Sequence, residues 1–258
     1  MPETVLITGA SGGIGRELAA TFAAQGHDLV LVARSRDKLA RLARELGEEF
    51  GVAARSLPRD LGKRDAARLL YDELERRDIE VDVLVNNAAI LQNGQFEDIA
   101  LEDHLALMHL NMIVPTTLTH LFLGPMIDRG HGRVLNVASI AAFQPLARLA
   151  VYAAAKAYLL HFTEAMSEEL KGTGVTITAL CPGFTDTNMM AGSADASFIP
   201  PFAISRAADV ARDGYRACMK GEPVHVSGAA NRWMAEIVRL QPRWLVRAVS
   251  GMVARQYR

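Results

Sequence analysis

Three side chains between positions 139 and 156 carry the most legible chemistry in this sequence, VASIAAFQPLARLAVYAAAK read from Val137. Tyr152 and Lys156 stand four residues apart at the start of a predicted helix, so they share a face and the ammonium can approach the phenol. A neighbouring cation favours phenolate, and an isolated tyrosine titrates near roughly pH 10. With that help Tyr152 can exchange a proton near neutrality, and Ser139, at the end of a predicted strand, can hydrogen-bond the same substrate oxygen. Alone, a Tyr-x-x-x-Lys pair is also what an ordinary helix surface shows. Its weight comes from the rest of the chain.

The second cluster lies near the N-terminus. Thr8-Gly-Ala-Ser-Gly-Gly-Ile-Gly15 follows a short apolar run and opens a predicted helix. Glycine there lets the backbone turn tightly and approach a ligand, while the helix start offers N–H groups to a pyrophosphate. The glycines fall at 9, 13 and 15, a spacing that differs from the Gly-x-Gly-x-x-Gly of the general dinucleotide fingerprint.

Strands and helices alternate around these clusters. Thr4 to Thr8, Asp28 to Ala33 and Val81 to Asn86 are apolar runs without polar alternation, the pattern of parallel strands covered on both faces. Val52 to Leu57, Arg133 to Ser139, Val175 to Leu180 and Pro223 to Ser227 complete a predicted set of about seven. Helical periodicity fills Gly13 to Gln25, Ser35 to Phe50, Lys63 to Arg77, Leu101 to Asp128, Val151 to Lys171 and Arg206 to Lys220. Ser35 is a plausible N-cap, and Pro115 should bend or break the long fourth helix. Helices of this length between strands imply right-handed crossovers and an α/β, doubly wound parallel sheet. No shift of composition divides the chain, so residues 1–258 are expected to form a single domain. Its core covers about 1–228, and a helical tail about 229–258.

Composition narrows the function classes. Of 258 residues, 50% are hydrophobic and 22% charged, which suits a globular core, and a net charge of -1 gives no electrostatic case for nucleic acid. Cys181 and Cys218 cannot make a disulfide framework and read as buried thiols in a reducing compartment. The first residues lack the pattern of a signal peptide, and no uninterrupted apolar stretch reaches the ~20 residues of a spanning helix. A cytoplasmic location is expected. The histidines show no metal-ligand spacing, so no metal site is expected.

Taken together, TGASGGIG, Asp60, NNAA at 86–89, Asn111, Ser139, Tyr152, Lys156 and PGFTDT at 182–187 resemble the short-chain dehydrogenase/reductase family over about Thr4 to Thr187. The resemblance implies a Rossmann-like sheet, a nicotinamide cofactor and hydride transfer between that cofactor and a carbonyl or alcohol carbon. By its pattern Gly9, Gly13 and Gly15 bind pyrophosphate, with Ile14 under the cofactor, and Asp60 with Leu61 meets the adenine. Asn86, Ala88 and Ile90 line the adenosine ribose and support the sheet. Asn111 holds a water of the proton relay, Ser139 polarises the substrate oxygen and Tyr152 is the general acid/base. Lys156 binds the nicotinamide ribose and lowers the tyrosine pKa. Pro182, Gly183, Thr185 and Thr187 meet the nicotinamide carboxamide. Tyr152 is recharged through the ribose hydroxyl, Lys156 and water at Asn111. Ala89 stands where the family usually has glycine.

Cofactor choice follows from charge. An NAD enzyme commonly has an acid at the end of the second strand for the ribose hydroxyls, and that acid repels a 2′-phosphate. Here Ala33 holds that place and Arg34 follows, a guanidinium suited to phosphate, with Ser11 able to add a hydroxyl. NADP(H) is therefore expected over NAD(H), the competing reading being that Arg34 only stacks on adenine. The apolar Phe143–Val151 connection and the stretch Phe184–Ala203, with Met189, Met190, Phe198 and Ile199, suggest a lid over a hydrophobic ketone, aldehyde or secondary alcohol. A plain surface loop is the alternative for that stretch. The tail sets Trp233, Met234, Ile237, Leu240 and Trp244 against Arg232, Arg239, Arg243 and Arg247. It is expected to pack over the cleft or on a second subunit, or else to lie on an anionic membrane. The resemblance also suggests a homodimer or homotetramer through the helices containing Asn111 and Tyr152. A cofactor-sensing module without turnover, or an NAD(H)-dependent alcohol dehydrogenase, remains the alternative.

Overall fold

The computed structural model describes residues 2–187 and 204–255, with side chains through Met252. β1 (Thr4–Thr8), β2 (Asp28–Ala33), β3 (Ala54–Pro58), β4 (Val83–Asn86), β5 (Gly132–Val137), β6 (Val175–Cys181) and β7 (Val224–Val226) form one parallel sheet in the order β3-β2-β1-β4-β5-β6-β7. The chain winds outward from β1 to β3, then returns to the centre at β4 and winds the other way. The loops after β1 and β4 therefore diverge and open a crevice at the carboxyl edge, where ligands of such sheets bind.

Nine helices among the described residues flank this sheet: α1 (Gly13–Ala23), α2 (Arg36–Phe50), α3 (Ala66–Arg76), α4 (Leu101–Met108), α5 (Val114–Arg129), α6 (Ala150–Glu169), α7 (Ala207–Lys220), α8 (Ala229–Leu240) and α9 (Arg243–Arg255). The unbroken apolar strands are explained by two cores. Val5 and Ile7 of β1 pack with Leu18 and Phe22 of α1, Leu39 of α2 and Val210 of α7 on one face. Leu6, between them, packs with Leu70 of α3 and Leu118 and Phe122 of α5 on the other. Side chains alternate across a strand, so burial of both faces demands an apolar residue at every position. Truncating a fully buried leucine such as Leu6 to alanine costs about 2–5 kcal/mol in cores of this kind.

Several expectations needed correction. Ser35 occupies the N-cap position of α2, yet its side chain makes no capping bond. Pro115 does not break the long helix: Leu101–Met108 continues through a π turn, His109–Ile113, into α5, and Pro115 falls in the first turn of α5. A missing N–H is tolerated there. By length and composition the run Leu101–Arg129 could span a bilayer. Its buried Leu118, Phe122 and Met126 show that it covers one face of the sheet instead. The tail is two helices, because Gln241 is extended ahead of Pro242, as residues before proline tend to be.

Candidate active site

The turn after β1 is built by contacts that exclude side chains. Gly9 has φ +68°, and a Cβ on it would lie 2.9 Å from Ala88 Cα; one on Gly15 would lie 2.4 Å from both Gly9 O and Asn87 Nδ2. The turn is held from β4: Thr8 Oγ1 donates to Val85 O and accepts from the N–H groups of Asn87 and Ala88. Asn87 Nδ2 donates to Thr8 O at 2.8 Å and to Gly9 O at 3.3 Å. Gly12 is extended, and no side chain caps α1, so the N–H groups of its first turn face the cleft. Bare backbone and an uncapped helix start fit the pyrophosphate of a dinucleotide.

β5 and α6 deliver the candidate proton-handling groups to the same cleft. Ser139 caps a short 3-10 turn, Ile140–Phe143, its Oγ accepting from Ala141 N at 3.1 Å, and its hydroxyl is near enough to the Tyr152 phenol to lower that group's pKa. Tyr152 lies in the first turn of α6 and Lys156 one turn on, both buried. Lys156 Nζ donates to Val137 O at 2.7 Å and lies 5.8 Å from the centre of the Tyr152 ring. Burial raises the Tyr152 pKa, and the Ser139 hydroxyl opposes the rise. The expected lowering by Lys156 is not what sets this balance, because the ammonium is directed at the Val137 carbonyl. Lys156 itself is pushed down to about 8 by burial, against a smaller upward effect of Cys181.

Asn111 sits in the π turn, buried, and does not line the cleft. Its Oδ1 accepts from Ile90 N at 3.0 Å and its Nδ2 donates to Ile90 O at 2.9 Å. The amide thus pins the segment after β4. Its main chain is placed differently: in a regular helix the N–H at position 115 would bond the Asn111 carbonyl, and proline has none.

One cleft of about 1830 Å³ brings most of the other sequence candidates together. Gly9, Ser11, Gly13 and Ile14 line it, as do Arg34, Asp60, Leu61, Ala88, Ile90, Ser139, Tyr152, Lys156, Pro182, Gly183, Thr185 and Thr187. Gly15 is behind the turn, in its packing. Asn86 turns into the core, donating to Asn136 Oδ1 at 2.9 Å and Thr119 Oγ1 at 3.2 Å. Its neighbour Asn87 takes the place in the cleft wall. Ala33 ends β2 buried, while Arg34, Lys38 and Lys63 border the cleft without a described ion pair. Arg59, beside them, is committed to Glu73.

Sequence reasoning missed Asn87, Lys38 and three residues of the tail. Met234 of α8 and Val249 and Ser250 of α9 line the cleft, as do Leu146 and Leu149, and Ser250 Oγ accepts from Ala147 N at 2.9 Å. Asn231 of α8 packs against Gly183, where a Cβ would meet its amide at 2.3 Å. The tail therefore covers the cleft, but Trp233, Leu240 and Trp244 are not the residues that do so. Thr185 and Ser205 pair in a parallel bridge, closing the two ends of the expected lid. Met189, Met190, Phe198 and Ile199 lie outside the described residues.

Comparison with known proteins agrees with this geometry. The family pattern described as short chain dehydrogenase matches residues 3–197. Ketoacyl reductase HetN of Nostoc sp. is 36% identical over 188 residues, 73% of this chain and 65% of that enzyme's length. A short-chain dehydrogenase from Sphingobium yanoikuyae in complex with NADPH superposes with a TM-score of 0.83 at 31% identity, covering 98% of this chain and 96% of the other. The bulky-bulky ketone specific alcohol dehydrogenase from Comamonas testosteroni gives 0.79 at 28% identity, covering 98% and 94%. The chain belongs to the short-chain dehydrogenase family of oxidoreductases.

Proposed function

We propose that the protein transfers a hydride between NADP(H) and a hydrophobic ketone, aldehyde or secondary alcohol, with Tyr152 giving or taking the hydroxyl proton. The observation that carries this reading is that Ser139, Tyr152 and Lys156 line one cleft with the glycine turn, Tyr152 and Lys156 buried one helical turn apart. When bound, the nicotinamide supplies the hydride. The chain's own groups do the rest. Ser139 and Tyr152 offer two hydroxyls to one substrate oxygen, and in reduction that oxygen takes the Tyr152 proton, leaving an alcohol and a phenolate. Lys156, buried 5.8 Å from the phenol ring, has a pKa of about 8, which lets it exchange protons near neutrality. A relay water fits the main-chain carbonyl of Asn111, which lacks a Pro115 donor, better than the amide that Ile90 occupies.

NADP(H) is favoured by Arg34 and Lys38 beside a β2 end that carries no acid. The NADPH held by the Sphingobium relative supports the same preference. Leu146, Leu149, Met234 and Val249 support an apolar substrate, as do the ketone and ketoacyl activities named for the relatives. Exposed Leu101, Leu105, Met108 and Ile113 along one helical run support a homo-oligomer through α4 and α5, and the cytoplasm suits its buried thiols. A panel of apolar carbonyls and alcohols assayed by cofactor absorbance tests the activity. Turnover should favour NADPH over NADH by about tenfold or more, the scale of one charge-assisted phosphate contact. No turnover with any substrate, or a preference for NADH, overturns the reading.

A further inference from the structure

The last two helices present a surface that hydride transfer does not use. Trp233, Ile237 and Leu240 recur at the spacing of one helix face on α8, and they are 73%, 53% and 82% exposed. Trp244 and Met252 lie two turns apart on α9, 63% and 59% exposed. These are both of the chain's tryptophans. The same two helices carry the exposed Arg232, Arg239, Arg243 and Arg247. The tail from 229 onward has six arginines and one acid, Glu236, in a chain of net charge -1. Glu236 is itself paired with Arg239 at 3.7 Å.

We propose that α8 and α9 dock the protein on an anionic lipid bilayer, so that substrate dissolved in the membrane reaches the cleft whose wall the same helices form. The docking stands on the surface alone, and the delivery of substrate rests on the oxidoreductase reading. Tryptophan is favoured at the boundary of headgroups and hydrocarbon, where its ring is buried and its N–H stays wet. Arginine forks match lipid phosphates. A helix with an apolar ridge and a basic flank can lie in that boundary plane. A second copy of the chain is a poorer occupant, because a two-fold contact through this surface sets arginines against arginines. Nucleic acid would meet the arginines but leave Trp233, Ile237 and Leu240 in water. A bilayer accommodates both. Met234, Val249 and Ser250 of the same two helices line the cleft, so the docking surface adjoins it.

The test is sedimentation of the full chain with phosphatidylcholine vesicles, with and without phosphatidylserine, alongside turnover of a water-soluble ketone. The native protein should bind the anionic vesicles, release in high salt and leave pure phosphatidylcholine unbound. Its tryptophan emission should shift to the blue on binding. Trp233→Ser with Leu240→Ser and Trp244→Ser, or Arg239→Glu with Arg243→Glu and Arg247→Glu, should weaken vesicle binding about tenfold or more. NADPH affinity and turnover of the soluble ketone should stay unchanged, which shows that the variants fold. No binding by the native protein, or equal binding by both variants, overturns docking. Self-association lost in the same variants, without vesicle binding, assigns the surface to a second copy and also overturns it. Vesicle binding without turnover on any carbonyl keeps docking and removes the oxidoreductase reading instead.

Discussion

Asn86 and Asn87 are adjacent at the end of β4 and serve opposite sides of it. Asn86 donates inward to Thr119 Oγ1 and Asn136 Oδ1, and Asn136 passes the chain of bonds to Thr163 Oγ1. Asn87 donates outward to Thr8 O and Gly9 O, holding the turn that fits the pyrophosphate. One asparagine joins β4 to β5 and to the helices behind it; the other shapes the cleft.

That division predicts two separable defects. Asn86→Ala removes a buried donor and leaves two acceptors underpaired, so chemical denaturation should show a loss of about 1–3 kcal/mol with cofactor affinity nearly unchanged. Asn87→Ala should keep most of the stability and weaken NADPH binding, measured by titration of intrinsic fluorescence. The reverse pattern would show that the assignment of the two residues is exchanged.

In the proposed reading Arg34 discriminates between two dinucleotides. Arg34→Ala should weaken NADPH by about 10–100-fold, the scale of a hydrogen bond to a charged group, and change NADH by much less. Equal loss for both cofactors would mean that the guanidinium stacks on adenine rather than meeting a 2′-phosphate.

Lys156 makes stability depend on pH. Its folded pKa is about 8 against an ordinary 10.5, so between these values the unfolded chain binds more protons and stability rises with pH. The depression corresponds to a burial cost of about 3 kcal/mol, present in full below pH 8 and relieved toward pH 10.5. Lys156→Met carries no such cost. Denaturation in urea should show the variant's advantage greatest near pH 7 and shrinking by pH 10. An advantage independent of pH would contradict a buried, titrating ammonium.

Much of this architecture is legible in the sequence. TVLIT and DLVLVA announce strands covered on both sides, and Val5 and Leu6 do face different cores. The cleft residues could be placed because Gly9, Ser139 and Pro182 all follow carboxyl ends of strands. The π turn at His109–Ile113 was hidden, since apolar periodicity does not distinguish a bond to the fourth residue from one to the fifth. Pro115 misled for the same reason: its missing N–H matters to the Asn111 carbonyl, not to the continuity of the helix. Asn87 was overlooked although it lies just past the strand, at the edge where ligands bind, whereas Asn86 lies within it. The tail's share of the cleft wall could not be read, because it depends on how α8 folds back over Gly183 through Asn231.

The most direct measurement is turnover and NADPH binding by Tyr152→Phe, which removes one oxygen and keeps the ring packed. Turnover should fall at least about a hundredfold, the lower range for loss of a general acid, while NADPH affinity stays within about twofold. A variant that binds NADPH and still turns over at a rate near that of the native protein would contradict the role of the phenol.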